Sequence, residues 1–268
     1  MKKKGNKPFA RKRFGQNFLT DNSIVQKIVD SAELSSDEHV IEIGPGRGKL
    51  TIPLINTGVS LTLVEIDRDL VAELEETLPM QDQINLVQGD ILKCDWKDLI
   101  KDGATNKIIA NLPYNISSPL FFKLVRERHQ LESITIMVQK ELAERILHDG
   151  KGKKLKDYGI LSVVAGNTFH VKKICSVSSS CFTPRPKVES TVIQLTPIKN
   201  YIKNEQDFFQ FVKKSFNGRR KLFLTHLKKN ETELYEELSS QTLQFLHNLR
   251  PENLLPEQYL KLYQEHNL

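Results

Sequence analysis

Apolar positions along this chain fall into short continuous runs that alternate with stretches of helical spacing. Asp21 reads as a helix N-cap, and Ile24, Val25, Ile28, Val29 and Ala32 follow on one helical face. Residues 40–43 make a short buried strand. A glycine-rich turn then opens a helix over 50–55, which Gly58 ends. The alternation continues with a strand at 60–65, a helix over 67–78, and strands at 84–87 and 107–110. A helix with Pro119 in its first turn runs to about 128, followed by a strand at 134–138 and a helix over 142–147. Such regular alternation predicts an α/β fold: a parallel, doubly wound sheet with helices on both faces.

The pattern breaks at Lys151-Gly152-Lys153-Lys154 into a basic loop. A helix resumes over 158–168, and late strands follow at 171–174 and 191–195. Between those strands lies the proline-rich Phe182-Thr183-Pro184-Arg185-Pro186. After Asn200 every apolar position has helical spacing, so a domain boundary is expected near residue 200. Residues 1–20 are basic with little periodicity and read as an arm. No internal repeat is present.

Composition narrows the class. With 268 residues, 39% of them hydrophobic, the chain has room for one full α/β domain and a smaller appendage. No apolar run approaches the roughly 20 residues of a membrane-spanning helix. The lysine-rich start is not followed by an apolar stretch, so no secretory signal is expected. Cys94, Cys175 and Cys181 are too few and too scattered for a disulfide framework or a zinc site. They are expected to be free thiols in a reducing cytosol, with no metal bound.

The net charge of +6 is unevenly placed. Lys2, Lys3, Lys4, Lys7, Arg11, Lys12 and Arg13 all precede the first acid, Asp21. A second run holds Lys213, Lys214, Arg219, Arg220, Lys221, Lys228 and Lys229 with no acid between them. Clustered cations are the footprint of phosphate binding, because each neutralised phosphate releases counterions. A tail and a solvated helix face would look the same singly. Two clusters flanking a nucleotide-type fold point to nucleic acid.

The strand ends carry the candidate chemistry. Glu42-Ile43-Gly44-Pro45-Gly46-Arg47-Gly48 lies between a strand and a helix, where glycines let the backbone turn and approach a ligand. The spacing is G-x-G-x-G, not the G-x-G-x-x-G of a pyrophosphate-binding loop. Glu65 ends the next strand, 21 residues after Gly44, where a carboxylate can accept both ribose hydroxyls of an adenosine. Asp67 and Asp69 already serve the start of the following helix, so Glu65 is the ribose candidate. Gly89-Asp90 follows the third strand, and Asp90 can accept from an adenine amine. In series these sites describe an adenosine-bearing cofactor. The glycine spacing and the fourth strand end favour S-adenosylmethionine over a nicotinamide dinucleotide.

That fourth end reads Ala110-Asn111-Leu112-Pro113-Tyr114-Asn115. It can be a plain turn. It can also activate an amine. The lone pair of an adenine amine is delocalised into the ring, so the amine is a poor nucleophile. Two acceptors aimed at its N–H bonds localise that lone pair. The Asn111 side-chain oxygen can be one, and the Leu112 carbonyl, in a turn stiffened by Pro113, the other. Tyr114 can stack on the base. Such groups stabilise charge developing on nitrogen as it attacks a sulfonium methyl. The base must be unpaired or flipped. Phe182 can supply the opposite face of an aromatic sandwich, or be a core phenylalanine beside a rigid turn.

Taken together, these residues resemble the ribosomal RNA adenine N6,N6-dimethyltransferases that act on the small subunit. The resemblance spans essentially the whole chain. It rests on Phe14-Gly15-Gln16-Asn17-Phe18-Leu19, Glu42 to Gly48, Val64-Glu65-Ile66-Asp67, Gly89-Asp90-Ile91-Leu92, and Asn111 to Ser117. It also rests on Phe182 to Val188 with Glu189 and Ser190, and on Phe216-Asn217-Gly218-Arg219-Arg220-Lys221. One departure is Gly218, where the family pattern leads one to expect a longer polar residue such as Gln.

The resemblance implies a class I S-adenosylmethionine-dependent methyltransferase domain over 21–199, Rossmann-like, with seven strands, one of them antiparallel. It implies an arm over 1–20 closing on the cofactor and an all-helical RNA-binding domain over 200–268. The implied substrate is a pair of adjacent adenosines near the 3′ end of 16S-type RNA, each dimethylated late in small-subunit biogenesis. The implied partner is the small ribosomal subunit, met by a monomer in the cytoplasm. Carried over, Asn17, Leu19, Gly44, Glu65, Asp90 and Asn111 contact S-adenosylmethionine, and Gly46, Ile66 and Ile91 adjoin them. Asn111, Leu112, Pro113, Tyr114 and Phe182 form the reacting centre. Arg11, Lys12, Arg13, Lys213, Lys214, Arg219, Arg220 and Lys221 are the expected RNA contacts.

Two rivals stand beside this reading. One is the related large-subunit adenine methylase of macrolide resistance, against which Leu112, the Gly15-Gln16-Asn17-Phe18-Leu19 form and the Phe216 to Lys221 motif argue. The other is a ribosome-assembly or transcription factor that keeps the fold but only binds, against which intact Glu65, Asp90 and Asn111 argue.

Overall fold

The computed structural model describes residues 16–79, 82–152, 155–199 and 202–265. Its first element is a two-residue strand, β1 (Phe18–Leu19), followed by helix α1 (Asn22–Ser31). Asp21 caps α1 by accepting from the backbone N–H groups of Ser23 and Ile24. The alternation then runs β2 (His39–Ile43), α2 (Thr51–Ile55), β3 (Ser60–Glu65), α3 (Arg68–Thr77), β4 (Ile84–Gln88) and β5 (Asn106–Asn111). It continues with α4 (Ser117–Glu127), β6 (Ser133–Gln139), α5 (Lys140–Leu147), α6 (Ile160–Thr168), β7 (Phe169–Val177), β8 (Phe182–Thr183) and β9 (Ser190–Pro197).

Seven strands form one sheet in the order β4-β3-β2-β5-β6-β9-β7. The pairs β2–β3, β3–β4, β2–β5 and β5–β6 are parallel, while β9 runs antiparallel to β6. This is the doubly wound sheet that the alternation predicts, with the antiparallel strand that the resemblance implies. All of β2 and all but the first residue of β3 are buried, which explains their near-continuous apolar runs. The strand order reverses between β2 and β5. At that switch point the carboxyl ends of open α/β sheets leave a crevice.

The opposite ends of the strands are closed by satisfied polar groups. Buried Lys107 donates to the Ala32 and Glu33 carbonyls and pairs with Glu38 at 2.8 Å. His39 sits within hydrogen-bond distance of Ser60, Thr62 and the Leu99 carbonyl. An unpaired cation in such a place would cost several kcal/mol, so these partners keep that end of the sheet structural.

Helices α7 (Glu205–Phe216), α8 (Phe223–Asn230), α9 (Thr232–Glu237), α10 (Ser240–Leu246) and α11 (Pro256–Glu265) complete the chain. The residues group into two compact units: one reaches to Ala143 and resumes over Lys172–Pro197, the other comprises Glu144–Val171 and Ile198–Leu268. The sequence pattern placed one boundary near 200. The helical unit also takes in 144–171, because Tyr158 and Val163 are buried in one cluster with Phe208, Phe211, Val212, Phe223, Tyr259 and Tyr263. Phe216 stacks on Tyr259 with centroids 5.6 Å apart, and the Tyr158 hydroxyl donates to the Leu254 carbonyl. Helix periodicity alone does not say which core a helix joins.

The strap ahead of α1 is a further difference from the sequence reading. Phe18 pairs with Thr183 and Leu19 with Phe182 as an antiparallel ribbon. Thr20 extends it, its backbone N–H donating to the Cys181 carbonyl at 2.8 Å. A two-residue strand is too short to show a period of two.

Candidate active site

The carboxyl ends of β2, β3, β4 and β5 open into one cavity of about 1110 Å³. Gly44 and Gly46 stand at its floor with φ of +70° and +58°, values that L side chains rarely adopt. A Cβ on Gly46 would lie 3.2 Å from the Phe18 ring. Glycine there lets the strap and the loop after β2 approach without a clash. The Arg47 guanidinium rests 4.8 Å from the Phe18 ring centroid, which adds a cation–π contact to the same closure.

Glu65 ends β3 inside the cavity. One carboxylate oxygen accepts from the Gly46 N–H at 3.2 Å, and the other from the Asp67 N–H at 2.9 Å. Burial pushes its pKa up, and those backbone donors oppose the shift. Ile66 follows with 45% of its surface exposed, an unusual state for a large aliphatic side chain lining a cavity. At the next strand end Asp90 accepts from the Leu92 N–H at 3.0 Å, and the Gly89 N–H donates to the Glu65 carbonyl. Ile91 is buried against the same space.

Asn111 ends β5. Its amide nitrogen donates to the Asn17 carbonyl at 3.3 Å, which commits Nδ2 to the strap and leaves Oδ1 as the acceptor. The Asn111 carbonyl lies 3.9 Å from where a Cβ of Gly44 would sit, so the loops after β2 and β5 touch. The Leu112 N–H donates to the Met137 carbonyl, which ties this turn to β6. The Tyr114 hydroxyl meets the buried Ser190 hydroxyl at 2.9 Å. Gln16 donates to Asp67 at 3.2 Å and pins the start of the strap.

One cavity therefore gathers Asn17, Leu19, Gly44, Gly46, Glu65, Ile66, Asp90, Ile91, Asn111, Leu112, Pro113 and Tyr114. Phe182 is not among its walls. It is 4% exposed, pairs with Leu19 and belongs to the core beneath the strap. Successive residues of a strand face opposite ways, so Thr183 turns to the cavity and Phe182 turns from it. Of the two readings its sequence context leaves open, the structure places Phe182 in the core and not on the cavity wall.

Glu42 stands two residues before the first glycine of the loop after β2. It lines the cavity, is 1% exposed, and its Oε2 has no hydrogen-bond partner among the described residues. Burial, with the nearby Glu65 carboxylate, pushes its pKa up to about 8. The acid preceding the first glycine was the available signal.

The basic run of the helical unit separates into two kinds of cation. Lys214 pairs with Glu231 at 2.9 Å. Arg219 pairs with Glu252 at 2.9 Å and donates to the Leu155 carbonyl. Lys213, Arg220 and Lys221 are exposed. A Cβ on Gly218 would fall 2.3 Å from His226 Nδ1, so the ring of buried His226 occupies the space that a longer residue would need. Arg11, Lys12 and Arg13 lie outside the described residues. Among those residues no group of three or more His, Cys, Asp or Glu is placed to hold a metal, and the three cysteines are free. No described helix is long and apolar enough to cross a membrane.

The pattern of the ribosomal RNA adenine dimethylase family matches residues 8–268. The ribosomal RNA small subunit methyltransferase A of Shewanella woodyi is 38% identical over 257 residues, covering 94% of this chain and 93% of that protein. The crystal structure of a dimethyladenosine transferase from Plasmodium falciparum superposes with a TM-score of 0.79 at 27% identity, over 93% of this chain and 97% of that one. The 23S rRNA methyltransferase ErmE superposes with a TM-score of 0.68 at 25% identity, over 94% of this chain and all of that one (100%).

Proposed function

The chain belongs to the ribosomal RNA adenine dimethylase family, and we propose that its cavity seats S-adenosylmethionine beside an unpaired adenine of small-subunit ribosomal RNA. The enzyme is a ribosomal RNA adenine dimethyltransferase. The finer reading is that it modifies two adjacent adenosines near the 3′ end of the small-subunit RNA. It does so as a cytoplasmic monomer during subunit assembly. The observation that carries this reading is Asn111, fixed at the end of β5 with its amide oxygen left to accept.

The residues present fit the cofactor. Gly44, whose absent side chain leaves backbone open to the cavity, lets a ligand approach the loop after β2; Glu65 offers a carboxylate to ribose hydroxyls, and exposed Ile66 offers an apolar platform to a purine. Asp90 is placed to accept from the purine amine. The orphaned Glu42 oxygen is an acceptor for a polar group of the ligand or for an ordered water. When bound, S-adenosylmethionine supplies a methyl group made electrophilic by its sulfonium.

The chain's part is orientation. Asn111 Oδ1 and the Leu112 carbonyl accept the two N–H bonds of the adenine amine and draw its nitrogen toward tetrahedral geometry. Tyr114, held at its hydroxyl by Ser190, supports the face of the base. As the amine would take the methyl group, the bond from that carbon to sulfur would break and its electron pair return to sulfur, leaving S-adenosylhomocysteine; these acceptors would stabilise the positive charge developing on nitrogen. The methylated cation is acidic and loses its proton to water, so no strong base is required. A second methyl can enter because one N–H and one lone pair remain, with a single acceptor then orienting the amine.

The large-subunit specificity of ErmE is the second reading, favoured by the shared fold alone. Purified protein with labelled S-adenosylmethionine is offered unmethylated small subunits, large subunits and DNA in parallel. Label mapped to adenines of small-subunit RNA is the expected result. Label on large-subunit RNA would select the second reading.

A further inference from the structure

Methylation of a flipped base requires the backbone on either side of that nucleotide to be held at the cavity mouth. The cations of the described residues are not equivalent. Lys49 donates to the Asn22 side chain, and Lys140 pairs with Glu189 at 2.8 Å. Arg47 is engaged by Phe18 and lies 3.9 Å from Glu73. In the helical unit, Lys214 and Arg219 are neutralised by Glu231 and Glu252.

Arg185 and Lys187 differ from all of these. Thr183 and Pro184 are cavity walls, so Arg185 leaves the wall at the mouth itself. Arg185 and Lys187 are exposed, and neither meets an acidic side chain among the described residues. The Arg185 Nε–H donates to the Ser179 hydroxyl at 2.9 Å. That tether fixes the plane of the guanidinium and leaves the N–H groups of both terminal nitrogens for another acceptor. A planar fork with one edge anchored and the other open matches a phosphate oxygen pair.

We propose that Arg185, with Lys187 two residues on, is the seat for an RNA backbone phosphate next to the adenosine that enters the cavity. This rests on the RNA substrate proposed above and adds the contact that positions it. The partner is a phosphodiester, not a free anion, because the flipped base and the phosphate must be taken together. Ser179 is the positioning residue. Neutralising a phosphate at this point strengthens binding without reading sequence, and leaves choice of base to Asn111 and Tyr114.

The test uses the full chain and unmethylated small subunits. Arg185→Ala should weaken RNA binding about tenfold and lower the slope of log affinity against log salt by about one. The loss should fall mainly on KM for RNA, with cofactor affinity unchanged. Arg185→Lys should keep the salt slope while losing part of the affinity. Ser179→Ala should keep the slope and weaken binding about two- to threefold, because only the tether is removed. An unchanged slope and KM in Arg185→Ala would overturn the proposal and leave a solvated arginine. A parallel loss of cofactor affinity would also overturn it, by showing a structural role. If the unaltered protein places no methyl groups on RNA, the function proposed above fails instead.

Discussion

The phenolic hydroxyl of Tyr114 lies 2.9 Å from the hydroxyl of Ser190, the first residue of β9 and fully buried. A ring free at its far end would swing about its Cα–Cβ bond. This one is held at both ends, by the Pro113 turn and by the antiparallel strand. Tyr114→Phe and Ser190→Ala should each lower kcat about fivefold, the worth of one hydrogen bond. The double variant should lose little more than either single one, because both remove the same bond. Additive losses measured in that cycle would show that the two hydroxyls act separately.

Asn111→Ala removes one of two acceptors for the amine. Methyl transfer should fall about 10²- to 10³-fold, the effect of deleting one preorganised polar group at a reacting centre. Binding to small subunits should survive, since base and backbone contacts elsewhere remain. Filter binding beside a transfer assay separates the two. Equal loss of both would move Asn111 from the reaction to the architecture.

Glu42 gives the protein a pH signature. Its carboxyl is favoured in the protonated form by the fold, with a pKa of about 8 against an ordinary value near 4.5. The stability tied to that proton is complete below about pH 4.5 and is lost as pH rises through about 8. Glu42→Gln keeps the shape without the charge. It should therefore unfold at higher urea than the parent at pH 8, by at most a few kcal/mol, and match it at pH 4.5. Urea midpoints across that range, without cofactor, decide the matter.

Arg219, Arg220 and Lys221 are adjacent in sequence but should behave differently. Arg219→Ala breaks a half-buried pair with Glu252 and a bond to the Leu155 carbonyl, so it should cost about 1–3 kcal/mol in stability. Arg220→Ala with Lys221→Ala should leave stability unchanged and lower the salt slope of RNA binding by about two. Thermal unfolding and a salt titration on the same preparations read both effects. An unchanged slope would make that pair a solvated face.

Much of the sheet was legible because buried parallel strands carry little but apolar residues, and the ligand-bearing groups cluster at their ends. Gly44, Glu65 and Asn111 are each the residue at which an apolar run stops, and Asp90 follows the end of β4 by two residues. Phe182 was harder, since a phenylalanine before two prolines looks alike whether it faces a cavity or the core. Only its pairing with Leu19 decides the side. The grouping of 144–171 with the helical unit was hidden for a related reason. Periodicity shows that Val163 is buried but not against which partner. Gly218 was noted as a departure, and its cause lay eight residues away in a buried histidine.

The ribbon between β1 and β8 joins two segments with different tasks. One strand carries Asn17 and Leu19 to the cavity, and the other leads to Thr183 and Pro184 in the same lining. Any movement of the strap that lets a nucleoside in or out must break those pairings or carry the opposite wall with it. On the function proposed above, a cofactor and an RNA base that both bear on this ribbon would share its stiffness. By linkage, whatever factor the RNA adds to cofactor affinity, the cofactor returns to RNA affinity. A dissociation constant measured for either ligand alone describes a different protein from the one that holds both.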